Sequence, residues 1–154
     1  MNGSALEQRR AKAALKAITC YKEAITRDQR ADQKEQEAYR SYVKALPATI
    51  LMNGLGQALA MTLAHGGKNS KEGQGGKAHR KIYVHLEDWL CGNDQDAVFR
   101  NHKSNQTGDK HPLLKALCDA GQQDYLRAQA EAQLYLGWLK KFANALLVPP
   151  EGEK

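Results

Sequence analysis

Apolar residues recur at steps of three and four along most of this chain, the spacing that places them on one face of a helix. Leu6, Ala14, Leu15, Ile18, Tyr21 and Ile25 form the first such series. Ser4 and Glu7 stand at its start in the order of a capping box, a hydroxyl at the cap and a carboxylate three residues on, so a helix is predicted to begin there. The stretch TRDQRADQKEQE, residues 26 to 37, has hardly any apolar face, and the spacing resumes at Tyr39, Tyr42, Val43 and Leu46. A segment polar all round is either an exposed bridge or a break between helices. Here a break is predicted near Asp28 to Asp32.

Pro47 is predicted to end the second segment, because its ring disfavours helical geometry at Leu46, and to open the next helix. PATILMNGLGQALAMTLAH then reads as one helix, stopped by Gly66 and Gly67. Each of its internal glycines, Gly54 and Gly56, costs about 1 kcal/mol against alanine. Gly54 with Ala58 and Gly56 with Ala60 pair small residues one turn apart, which predicts a close approach on either face. Residues 66 to 77, GGKNSKEGQGGK, hold five glycines and no apolar side chain and are predicted to be a mobile loop.

AHRKIYVHLEDWLCG, residues 78 to 92, is a further helix with Ile82, Leu86, Trp89 and Leu90 as its apolar stripe. Residues 93 to 111 are polar, with Val98 and Phe99 as possible anchors, and read as a long connection. A helix follows from Pro112 to Ala120. After Gly121 comes the most periodic segment, Tyr125 through Leu146, with Pro149 and Pro150 beyond it. The prediction is an all-α chain: a compact bundle of about six helices, forming a single domain over residues 1 to 154 and without internal repeats.

Composition agrees with helices, since the hydrophobic 42% leans on alanine and leucine while aromatics are 6%. No apolar run reaches the roughly 18 residues of a membrane span, and MNGSALEQRR lacks the hydrophobic segment of a signal peptide. A cytoplasmic protein with no membrane partner is expected. Cys20, Cys91 and Cys118, odd in number and widely spaced, suit reduced thiols.

Candidate chemistry is sparse. Gly76 and Lys77 supply only the end of a phosphate-loop motif, and Gly54 and Gly56 lack the third glycine of a dinucleotide fingerprint. The five histidines and three cysteines form no short chelating pair, so no metal or other cofactor is expected. His85 and Asp88 share a helix face and can exchange a proton, but no nucleophile sits in a supporting motif, so no catalytic residue is assigned.

Charge changes the picture more. The net charge is +6, and the whole excess falls in the first 92 residues. Arg9, Lys12 and Lys16 recur along one face of the first helix, with Arg10 beside them. Lys77, Arg80 and Lys81, with Lys68 and Lys71 before them, gather around the glycine-rich loop, and Lys140 and Lys141 lie in the last helix. Such residues contact phosphates and position a nucleic acid without reading its bases. The alternative is a solvated basic surface on a helical scaffold or adaptor, with Trp89 and Trp138 as core residues or as anchors for a protein partner.

LPATILMNGLGQALA (46 to 60), IYVHLEDWL (82 to 90) and YLGWLKKFANALL (135 to 147), with LEQRRAKAAL (6 to 15) ahead of them, resemble the small helical subunit of the type III-B CRISPR effector, the Cmr complex. Four blocks in one order cover almost the whole chain. The resemblance implies a noncatalytic all-α subunit of an antiviral ribonucleoprotein. Copies would stack head to tail as an inner filament beside the other Cmr subunits, the guide RNA and the target RNA. Residues 66 to 77 and 93 to 111 match no motif.

Overall fold

Six helices make up 84% of the residues that the computed structural model describes, namely 3–24, 29–66, 76–102 and 111–149, and no strand occurs among them. They are α1 (Gly3–Ala24), α2 (Gln29–Asn53), α3 (Leu55–His65), α4 (Gly76–Leu90), α5 (Pro112–Asp119) and α6 (Gln122–Leu146). The most extensive packing is α1 along α6; α2 lies against both α4 and α6, and α3 and α5 close the remaining side of α4. The apolar stripes meet inside: Ile18 from α1, Leu46 and Ile50 from α2, Leu59 from α3, Leu86 from α4, Leu113 from α5 and Leu136 from α6 are all fully buried.

The α2 and α3 boundary departs from the predicted one. Helix α2 runs straight through Pro47 to Asn53, so Pro47 neither ends one helix nor starts another. An interior proline costs about 3 kcal/mol. Val43, Leu46 and Ile50 are fully buried on both sides of it, and burying each Leu or Ile contributes about 1.5 to 3 kcal/mol, so a continuous buried face outweighs the lost hydrogen bond. The break comes instead at Gly54, which has φ +83°, a left-handed value that glycine takes without the Cβ penalty.

Both glycines are approached closely, but by one side chain. A Cβ at Gly54 would stand 3.2 Å from the Tyr125 hydroxyl, and one at Gly56 would stand 3.3 Å from it. Ala60 is exposed, so the second predicted approach, against Gly56 and Ala60 as a pair, is not made by a helix.

Other boundaries shift by less. Helix α1 ends at Ala24 and α2 already includes Gln29 to Asp32, so most of the predicted break is helical. Glu7 lies inside α1 and bonds Arg10 and Trp138; the Ser4 side chain, the other half of the predicted capping box, lies outside the described residues. Helix α4 begins at Gly76, and Gly66 packs against Gly76 and Arg80, so the ends of the glycine-rich stretch meet; residues 67–75 lie outside the described ones. In the connection after α4, Phe99 is buried as the expected anchor, and residues 103–110 are again outside the described part.

Polar side chains from neighbouring helices satisfy the helix starts, whose first amides have no partner in their own helix. The Leu55 amide donates to Gln129 Oε1 (3.0 Å) and that of Gly56 to the Tyr125 hydroxyl (2.8 Å). Buried Glu35 accepts from Ala78 in the first turn of α4 (2.8 Å), and buried Glu87 accepts from Leu113 in α5 (3.3 Å). Both carboxylates also face the positive end of the helix dipole.

Candidate nucleic-acid interface

Helices α1 and α4 touch at few points, and between them lies an open groove of about 750 Å³. Its shape follows from α1's sequence. Arg10, Ala14, Ile18 and Tyr21 turn inward at three and four residue steps, which leaves Arg9, Lys12, Ala13, Lys16, Ala17 and Cys20 facing the groove. Small Ala13 and Ala17 make the space, and the longer cationic chains frame it. Lys81, from α4, joins them, and His85, Trp89 and Tyr135 also line the groove. Trp89 stacks on Tyr135 with ring centroids 5.3 Å apart.

The groove therefore unites two of the three predicted basic clusters, in part. Lys12, Lys16 and Lys81 line it. Lys77 is exposed one turn earlier on α4, and the Arg80 guanidinium is bonded to the Gly66 carbonyl at the foot of the glycine-rich stretch. Lys140 and Lys141 on α6 are not among the lining residues; the Lys141 ammonium stands 5.1 Å from the Trp138 ring centroid. Lys68 and Lys71 lie outside the described residues.

The two adjacent arginines behave oppositely. Arg10 is buried, and its guanidinium donates twice to Glu131, at 2.6 and 2.9 Å, and once to Glu7 at 2.5 Å. Hydrogen bonding to Glu131 raises its pKa still further, so it is a fixed internal cation. Glu131 also accepts from Trp89 Nε1 at 2.8 Å, which ties α1, α4 and α6 together behind the groove. Trp138 Nε1 donates to Glu7 at 2.8 Å, and this bond leads in holding the Glu7 carboxyl below its usual value. Arg9 faces outward, with Nε donating to Asp94 at 3.0 Å and Nη2 paired with Asp96.

His85 is a core residue. Its Nδ1 lies 2.6 Å from the Tyr39 hydroxyl, and burial, aided by Lys81, pushes its pKa down to about 3. It is neutral at physiological pH, while Asp88 is exposed at the groove. Among the described residues, no three His, Cys, Asp or Glu side chains gather as a metal site. Cys20 and Cys118 are exposed free thiols and Cys91 is buried. No described helix is long and apolar enough to cross a membrane.

Three features escaped the sequence reading: the carboxylates Asp94 and Asp96 beside the groove, the stacking of Trp89 on Tyr135 that floors it, and the Glu131 link. Only the last left a trace. Glu131 is the sole charged residue between Arg127 and Lys140, and a lone carboxylate on such a face needs a buried partner. The family model for "CRISPR-associated protein (Cas_Cmr5)" matches residues 6–146 of the chain.

Proposed function

The chain belongs to the Cas_Cmr5 family, the small subunits of the Cmr (type III-B) complex of CRISPR defence, and from that premise we propose that it holds RNA in this complex through the groove between α1 and α4. The observation that supports this reading is the convergence of Lys12 and Lys16 from α1 with Lys81 from α4 around one open, aromatic-floored channel. Three mobile ammonium groups give sequence-blind contact with phosphates, as a subunit that handles any guide and target requires. Lys77 and the α6 pair Lys140 and Lys141 extend the cationic surface beyond the groove. Arg10 supports the channel from inside.

The subunit carries out no bond cleavage in this reading; it presents the strand, in the cytoplasm, to a neighbouring subunit that cuts. It associates with other Cmr subunits and stacks on copies of itself, head to tail, through unlike faces. Exposed Leu51 (76%) and Met52 (84%) at the end of α2, with Leu126 and Leu134 on α6, are among the apolar side chains available for those contacts.

Single-stranded RNA binding by the purified protein tests the reading. With several phosphate contacts, affinity should fall steeply between about 50 and 200 mM salt. A flat salt response, or no binding, would favour the scaffold reading, in which the basic surface serves only solubility and assembly.

A further inference from the structure

We propose that Asp94 and Asp96 are a built-in competitor for the RNA backbone: they occupy Arg9 while the groove is empty and yield it to a phosphate when a strand is seated. This rests on the groove being an RNA contact. Arg9 lines the groove, and its fork is filled by Asp94 Oδ2 at 3.0 Å and by Asp96. A guanidinium that pairs with two carboxylate oxygens can donate in the same way to the two free oxygens of a phosphodiester.

The pair is built to exchange. The Arg9 side chain is 29% exposed, that of Asp94 19% and that of Asp96 37%, so water already reaches the contact and it contributes little to stability. Arg10, one position along, shows the opposite design, with only 7% exposure and a two-point bond to Glu131. Nor does the acidic turn depend on Arg9 for its shape. The Asp96 amide donates to Asp94 Oδ1 at 2.9 Å, Phe99 is buried, and its amide bonds the Leu90 carbonyl at 2.9 Å. Arg9 can therefore leave without unfolding the segment that releases it.

The consequence is a set point. Free protein hides one cation of the groove, which weakens contact with stray polyanions, and a strand already held by Lys12, Lys16 and Lys81 gains Arg9 on seating.

The test is a cycle on the full-length protein. D94N/D96N keeps the Asp94 side-chain acceptor for the turn while removing both charges. Its single-stranded RNA affinity at 50 mM salt should rise about two- to tenfold, the worth of exposed ion pairs, while the slope of log affinity against log salt stays as it was, because Arg9 reaches a phosphate in both proteins. In an Arg9→Gln background the same two changes should give no gain. An equal gain with and without Arg9 would mean general charge reduction, and no gain in either would mean no competition; each overturns the proposal while leaving the RNA reading in place. Absence of RNA binding by every variant, the unaltered protein included, overturns both. Unchanged melting temperatures establish that the variants fold, and D96N alone, at the more exposed position, replaces the double variant should that one melt early.

Discussion

Arg9 and Arg10 are neighbours in sequence with the same side chain, and the fold uses them for opposite ends. Helical geometry puts about 100° between them, so one faces solvent and the other points at α6. The buried one is indispensable to the fold: Glu131→Ala would strand the Arg10 cation and the Trp89 indole amide. Breaking a buried pair in this way costs about 3 kcal/mol or more, so the melting temperature should fall by roughly 10 °C for a chain of this size. Conversely, Arg10→Gln should lower stability yet leave the salt dependence of RNA binding unchanged; a shallower slope would place Arg10 at the RNA.

His85 makes a prediction in pH. It stays neutral in the fold, with a pKa pushed down to about 3, whereas the unfolded chain protonates it near 6.5. Between those values the unfolded state binds more protons, so stability present above pH 6.5 is lost as pH falls through the window. From this histidine alone the loss between pH 7.5 and 5.5 is on the order of 1 kcal/mol. Denaturant titrations at both pH values should show that loss, and His85→Gln should remove most of it; an equal loss in the variant would assign it to other groups.

At the scale of elements, Gly54 decides the α2 and α3 boundary. Alanine there would carry a Cβ at φ +83° and press on the Tyr125 hydroxyl 3.2 Å away. The left-handed strain alone costs about 1 to 2 kcal/mol, so Gly54→Ala should lower the denaturation midpoint by a corresponding amount; unaltered stability would mean that the junction is not fixed as described. The helices themselves were legible in the sequence because each carries a buried stripe at helical spacing. The boundary was not. Local rules weigh Pro47 as a stop and pass over Gly54, but the outcome depends on Leu46 and Ile50 finding a core and on Tyr125 and Gln129 arriving from α6 to cap α3.

For the whole molecule, family membership was readable from four blocks spread along the chain, since those blocks hold the core and the α1 face together. The groove was readable only in halves. Spacing showed that Lys12 and Lys16 share a face, and nothing local could show that Lys81 would stand across from them or that Asp94 would reach Arg9 from 85 positions away. Such juxtapositions are made by packing α1 and α4 around α6, and their electrostatics are a property of the fold. In the proposed reading, stacking and RNA contact are two uses of one molecule, with apolar side chains at the end of α2 and on α6 and cations along α1 and α4.

The most direct measurement is the salt dependence of single-stranded RNA binding for the protein and for K12Q/K16Q/K81Q. Loss of three phosphate contacts should flatten the slope of log affinity against log salt by about 2, with the melting temperature unmoved. A triple variant that binds as tightly, with the same slope, would contradict the groove as the path of the RNA.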